Sequence, residues 1–493
     1  MVNIRELLEL NASTDQADKV EALAKRHTDR VKRRTLQRKW NALGLPPRQR
    51  ANLKRTIQNL VRKGKSYKTG KRPLTTSDLV LLMRDKRPSK LLDQLYPLRT
   101  RPGHWKKLKS RKYSKLEETQ TIDLRDFSFL DAPQSTLEGL IEIAQAEAIS
   151  ADAKINFHDE FCKDVSPFML LVECWDEMLP IFEGGKMNVP MQKVLAAIGV
   201  EYALGVRFVG IQDFNDVWAF PLNRRRSRGE TRSRQQYIDV QTREEATDRF
   251  CDAMNEWLAR PEINLKLSGK GIGWIKQLLG ELLENAERHA DGARRDGSWS
   301  ISGFLAKREV DGDSIFVVQL GITSLGDTFS ESLQRATDEQ KQMISEYLAR
   351  MKMLGASQSE ETLTTLAALQ DGVTCVAEAD EDGRGGTGLM EMLHLVDTLG
   401  YTQKSQFQPQ VTIISGSACI NLKEPYFVGE VMQHGSKTRV QWCNSDNSAK
   451  RPPDSAYVYD LNGGLPGTAI SIRFTLDPDY LAQATNGGET DAD

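Results

Sequence analysis

"GIGWIKQLLGELLENAERHA", residues 271 to 290, is the stretch on which the fold turns. Ile275, Leu279, Leu282, Leu283, Ala286 and Ala290 recur at helical spacing, which predicts an amphipathic helix with one buried stripe. Glu281, Asn285 and His289 stand four apart on one ridge, between that stripe and a charged face carrying Lys276, Glu284 and Glu287. Polar groups at the margin of a buried face need partners, and a hydrated magnesium ion with a polyphosphate would supply them. An ordinary amphipathic helix with a polar margin carries the same pattern, so the segments around it have to discriminate.

Downstream, "WSISGFLAKREVDGDSIFVVQLG" predicts two strands joined by a turn at Asp311 and Gly312, the second ending at Gly321. A long charged helix is expected through "ESLQRATDEQKQMISEYLARMKML". "ADEDGRGGTGLMEML", residues 379 to 393, then packs glycines ahead of a helix expected from about Leu389 to Leu399. Such a turn offers free backbone N–H groups and the positive end of a helix dipole to an anion, although glycine clusters also make plain flexible loops. Neither G-x-G-x-x-G nor G-x-x-x-x-G-K-[ST] occurs, and "GKSYKTGKR" near Gly64 reads as a basic loop. A strand "QVTIIS" and a final strand "LPGTAISIRFTL" complete the order.

In order and spacing these segments resemble the GHKL ATPase superfamily, which joins gyrase, the large heat-shock chaperone, mismatch-repair ATPases and histidine kinases. "ELLENAERH" is similar to its N box, "GRGGTGL" to its second glycine box and "GTAISIRF" to its last sheet strand. The resemblance implies an α/β sandwich that binds ATP and magnesium, with Glu281 polarising the attacking water, Asn285 as the magnesium ligand and His289 on the same ridge. It further implies that Gly385, Gly386 and Gly388 let the backbone close over the triphosphate, that the helix starting near Leu389 points its N-terminus at it with Arg384 and Thr387 among the binding residues, and that Thr468 lies near the adenine. Where the family pattern has D-x-G-x-G, this chain has Gln319, Leu320, Gly321, Ile322 and Thr323. Gln319 can accept from a base through its carbonyl and can also donate through its amide, so an unusual base preference is expected.

Upstream, from "TIDLRDFSFLDAP", strands near Ile122 to Leu130 and at "KINF" alternate with helices near Ser135 to Ala148 and through "SPFMLLVECWDEML". This order resembles the STAS domains of anti-sigma antagonists, and implies a protein partner. Ala132 stands where the phosphorylated members of that family carry serine. His158, in "HDEFCKDVSP", resembles a histidine-kinase phosphoacceptor in its neighbours but directly follows a predicted strand rather than sitting within a helix. "LNRRRSRGETRSRQQ", residues 222 to 236, reads as a polar linker.

The expected organisation is α/β throughout the two larger parts: a basic, mainly helical module over 1–117, an STAS-like α/β domain over 118–221, a GHKL ATP-binding domain over 222–478 and an acidic flexible tail over 479–493. Six scattered cysteines without a C-x-x-C pair suggest neither a disulfide framework nor a zinc site. Charges in "MVNIRELLEL" and the lack of a long apolar run predict a cytoplasmic protein without a membrane span. The expected function is a slow magnesium-dependent ATPase with a regulatory role. A protein serine kinase of the anti-sigma type, and a non-hydrolysing nucleotide sensor or nucleic-acid-binding regulator, are the alternatives; a homodimer is compatible with each.

The net charge of -1 conceals a segregation: residues 1 to 115 hold 32 Lys and Arg against 9 Asp and Glu, an excess of +23, and the remainder holds 35 against 59. Trp40, Trp105 and Tyr113 lie among these cations, as on nucleic-acid-binding surfaces. Residues 1 to 115 are therefore expected to bind DNA or RNA with little sequence preference. Gel shifts over a salt series should show affinity falling steeply as salt rises, because each neutralised phosphate releases counterions; no shift at low salt would point to a protein partner instead.

Overall fold

A computed structural model describes residues 8–10, 67–69, 72–74, 89–97, 120–149, 153–179, 182–204, 206, 208, 211, 213–225, 242–289, 297–310, 313–370, 373, 388–400, 408–427, 429–433 and 436–486. The chain is a mixed α/β protein. Its first elements are β1 (Leu8–Leu10), the hairpin strands β2 (Tyr67–Thr69) and β3 (Arg72–Leu74), and helix α1 (Lys90–Leu95). An α/β unit follows: β4 (Gln120–Leu124), α2 (Pro133–Ile149), β5 (Ala153–Phe157), α3 (Ser166–Met178), β6 (Phe182–Gly184), α4 (Val189–Ala197) and α5 (Val200–Leu204). Its strands pair parallel in the order β4-β5-β6, as strand–helix–strand crossovers require.

The larger part contains β7 (Val217–Arg225), α6 (Arg243–Leu258), β8 (Leu265–Leu267), α7 (Gly269–His289), β9 (Ser298–Val310), β10 (Asp313–Leu325), α8 (Phe329–Leu333), α9 (Asp338–Met353), α10 (Glu360–Ala368) and α11 (Gly388–Gly400). It ends with β11 (Gln410–Leu422), the short pair β12 (Glu430–Gln433) and β13 (Ser436–Arg439), β14 (Val458–Leu476) and α12 (Pro478–Asn486). Five strands form one antiparallel sheet in the order β11-β14-β10-β9-β7. Among the described residues no helix is long and apolar enough to cross a membrane.

Antiparallel sheets usually leave one face to water. Here both faces are covered, and alternate residues serve different cores. Phe316, Val318, Leu320 and Ile322 of β10 join Ile275, Leu279 and Leu283 of α7 and Met390 and Leu393 of α11 in one core. On the opposite face Phe304, Ala306 and Ala469 join the α/β unit through Phe168, Met169 and Leu140. Full burial of each large apolar side chain contributes about 1.5–3 kcal/mol, which explains why "SIFVVQLGI" runs apolar on both parities of the strand.

Several expected boundaries move. β7 extends to Arg225, so the start of the expected linker is sheet, and the division at 221/222 would cut through that strand. Residues 226–236 of that linker lie outside the described residues. The single long charged helix is two, α8 and α9, because Thr337 accepts a hydrogen bond from the Gln340 amide and starts a new helix. α10 was not anticipated. The acidic tail begins as α12, whose Leu481 is fully buried in the helical core.

The basic module is also less separate than its charge suggests. Leu91, Leu92 and Leu95 of α1 are buried in the core of the α/β unit, and β1 pairs with β8. The basic loop near Gly64 and Gly70 contributes β2 and β3. The rest of residues 1–88 and 98–119, with Trp40, Trp105 and Tyr113, lies outside the described residues, and so does the expected turn at Asp311 and Gly312.

Gly321 marks the closest approach of the α/β unit to the sheet. A Cβ there would lie 2.6 Å from Ser166 Oγ, 2.7 Å from Val165 Cγ2 and 3.0 Å from Met169 Sδ. Gly321→Val should therefore destabilise the protein by about 1–3 kcal/mol, the usual cost of overpacking. A fall in the denaturation midpoint at unchanged slope is the expected result of chemical unfolding.

Candidate functional site

α7 buries Ile275, Leu278, Leu279, Leu282 and Leu283, half-buries Ala286 and Glu281 and leaves Asn285 exposed, in the register read from the sequence; Ala290 lies outside the described residues. Gln277 Nε2 donates to Glu281 Oε1 across one helical turn at 3.2 Å. Burial pushes the Glu281 carboxyl above its ordinary range; the Gln277 hydrogen bond opposes this, and the negative charges of Glu391 and Glu284 reinforce it. The charged face beyond is tied down: Arg243 Nη1 is 2.5 Å from Glu284 Oε2, and Glu287 lies 3.3 Å from Arg225 Nη1 and accepts from Trp299 Nε1 at 2.9 Å.

α11 runs beside α7 over the same core, and its first turn carries Glu391. Trp274 Nε1 donates to Glu391 Oε2 at 3.1 Å, joining the start of α11 to the helix that bears Glu281. Gly388 opens α11, and Leu389 packs against the core. The glycine-rich stretch thus leads directly into a helix start that is fixed to α7. Arg384, Gly385, Gly386 and Thr387, and the side chain of His289, lie outside the described residues.

The sheet beneath supplies a polar row. Register pairs Ser415 with Thr468, Thr468 with Ser324, Ser324 with Trp299 and Trp299 with Arg225, so five neighbouring strands contribute one residue each. Ser415 Oγ and Thr468 Oγ1 are 2.9 Å apart, and Ser324 Oγ donates to the Ser298 carbonyl at 3.2 Å. Trp299 and Arg225 meet Glu287 near the end of α7. Thr468 is two strands from Trp299, roughly 10 Å at ~4.8 Å per strand. Just past the row, a cleft of ≈ 500 Å³ is lined by Gly326, Thr328, Glu361, Ser417 and Pro466 and by Lys90 of α1.

Gln319, Gly321 and Thr323 do not belong to this site. They alternate with Val318, Leu320 and Ile322, which face α7, and so point to the other side of the sheet. Gln319 is buried with its side-chain carbonyl unpartnered, and Gly321 is filled by Ser166, Val165 and Met169. The expected reading of a base by Gln319 is corrected on that ground. The residue of β10 that does reach the helical side near Thr468 is Ser324, five positions on. Trp274, Ser324, Glu391 and Ser415 were all missed; Trp274 had one signal, its place two turns before Glu281 on the same ridge.

His158 is outside any helix, and its Nε2 lies 2.7 Å from Asp123 Oδ1. Among the described residues no group of three or more His, Cys, Asp and Glu is disposed to hold a metal by itself.

If Glu391 and Glu281 sense one another, Glu391→Gln should lower the pKa of Glu281 while burial keeps it above the ordinary carboxylate value. Carbon-13 titration of labelled glutamates would check this, and an unmoved Glu281 resonance would separate the two carboxylates. Comparison of the chain with family models, with curated proteins and with solved structures finds no match.

Proposed function

We propose that the chain binds ATP with magnesium on the helical side of the five-stranded sheet and hydrolyses it slowly, in the manner of a GHKL-type ATPase. The observation that carries this reading is the Trp274–Glu391 hydrogen bond, which joins the helix opened by the glycine-rich segment to the helix bearing Glu281 and Asn285. The order of elements supports it: α7, the β9–β10 hairpin, α11, then β11 and β14 in one sheet. The α/β unit on the opposite face is the proposed regulatory, STAS-like part, and contacts with a protein partner are assigned to it.

Glu281 has the character of a general base. Its raised pKa brings it nearer to neutrality, where a carboxylate takes a proton from water more readily. Asn285, exposed one turn on, would hold magnesium through its side-chain carbonyl. One protein oxygen suits that ion, which usually keeps several waters and takes its other ligands from substrate phosphates. Bound magnesium would neutralise phosphate charge. The start of α11 would present backbone N–H groups to the phosphates, and the half-buried hydroxyls of Thr468 and Ser324, on the same side of the sheet, would add polar contacts. Gln319 has no part in this assignment.

Two substitutions one turn apart separate chemistry from binding. Glu281→Ala should retain magnesium-dependent ATP binding and lose turnover by roughly 10²- to 10⁴-fold, the usual loss for a general base. Asn285→Ala should weaken the magnesium-dependent binding itself. Calorimetry and phosphate release measure the two effects. Binding without turnover in the wild type, with candidate partners added, would favour a nucleotide sensor, and transfer of labelled phosphate to a partner serine would favour a kinase.

A further inference from the structure

Asp164, in the connection between β5 and α3, inserts its carboxylate into the seam between the α/β unit and the sheet and is 1% exposed. Its Oδ2 accepts from the Phe129 amide and from Ser471 Oγ, both at 2.8 Å, and its Oδ1 accepts from the Ser166 amide at 2.9 Å. Phe129 and Ser166 belong to the α/β unit, whereas Ser471 belongs to β14. Ser471 Oγ is also 2.8 Å from Ser166 Oγ, which donates to the Ile470 carbonyl at 3.3 Å. One carboxylate therefore joins polar groups of both layers at this point of the seam, which elsewhere carries the Arg224–Glu173 and Arg473–Asp131 pairs.

No Lys, Arg or His among the described residues forms an ion pair with Asp164. α3 and β14 face it with the hydroxyls of Ser166 and Ser471, and β10 with Gly321. β9 brings Arg308, but that guanidinium lies 4.7 Å over the Phe161 ring and donates to the Cys162 carbonyl at 3.4 Å. The loop after β5 brings Asp159, which accepts from the Asp126 and Phe127 amides and sits 3.7 Å from Lys163, and the buried thiol of Cys162. The connection from β4 to α2 brings Asp131, which pairs with Arg473 of β14 at 3.1 Å. A buried carboxylate without a counter-cation is costly when ionised, and protonation removes that cost while a serine hydroxyl turns to accept the new O–H.

We propose that Asp164 is a proton-dependent latch holding the α/β unit on the back of the five-stranded sheet. The latch is independent of what the helical face binds. Burial raises the Asp164 pKa to about 6, against the lowering effects of its hydrogen bonds to Ser166, Ser471 and Phe129. Because the closed form holds the proton more tightly than an opened one, the stabilisation is complete below the ordinary aspartate range and is lost as pH rises through about 6.

Hydrogen exchange of the full chain tests the latch, read at peptides covering Phe129, Ser166 and Ser471 and corrected for intrinsic exchange. In the wild type, opening of the seam should become about tenfold more frequent between pH 5 and pH 7. Asp164→Asn, which cannot titrate, should abolish that dependence. Should that variant fail to fold, Ser471→Ala keeps the carboxyl but removes a donor that favours ionisation, so the transition should move to higher pH. The same pH dependence in wild type and Asp164→Asn, or an unmoved transition in Ser471→Ala, would overturn the proposal.

Discussion

Burial of both faces of one antiparallel sheet is the constraint on which the rest of the structure depends. An isolated five-stranded sheet would expose two apolar surfaces, and this chain covers one with α6, α7 and α11 and the other with the α/β unit. Successive residues of each inner strand must then satisfy two different environments. Arg224 and Arg225 make the consequence concrete: the first forms a buried ion pair with Glu173 of α3, and the second reaches Glu287 of α7 on the opposite side. A bulge between Phe220 and Asn223 precedes them and adjusts the strand's register.

The same constraint divides polar residues by purpose. On the helical side, Ser415, Thr468 and Ser324 form a row that continues through Trp299 to Glu287 near the end of α7. On the other side, Asp164, Ser166 and Ser471 are enclosed and bond to one another, and Gln410 and Arg473 tie β11 and β14 to Leu130 and Asp131. The half-buried hydroxyls of Ser324 and Thr468 can exchange partners with a ligand, whereas Ser415 is fully buried and accepts from the Phe329 amide. Hydroxyls enclosed in a seam instead fix how two layers meet, since leaving one unsatisfied costs about 1–3 kcal/mol.

Charge was the broadest signal in the chain, and it did not coincide with domain boundaries. α1 ends a long basic stretch, yet it docks through Leu91, Leu92 and Leu95. Leu481 similarly anchors a segment whose composition is that of an acidic tail. Charge density describes what a surface repels or attracts over distance, whereas docking is decided by a few apolar side chains at helical spacing.

The register of α7 was legible in the sequence because a 3.6-residue period needs no knowledge of neighbours: Leu279, Leu282 and Leu283 are buried, while Glu281 and Asn285 lie at or beyond the margin. The alternation of strands and helices from Thr121 to Met178 was legible for the same local reason, although the first strand ends at Leu124 and the chain from Arg125 to Leu130 is a turn rather than its continuation. The break at Thr337 had a capping signal in "TDEQ" that the continuous charge pattern masked. The facing of β10 was another matter. Period two assigns 318, 320 and 322 to one side and 319, 321 and 323 to the other, but when both sides are buried the sequence carries no sign that tells them apart. Only packing of α7 on one face and α3 on the other turned Gln319 and Gly321 away from Glu281, brought Ser324 beside Thr468 and joined Trp274 to Glu391. Local periodicity set each element's own buried face; which elements meet across those faces was decided by long-range burial, which no window of sequence contains.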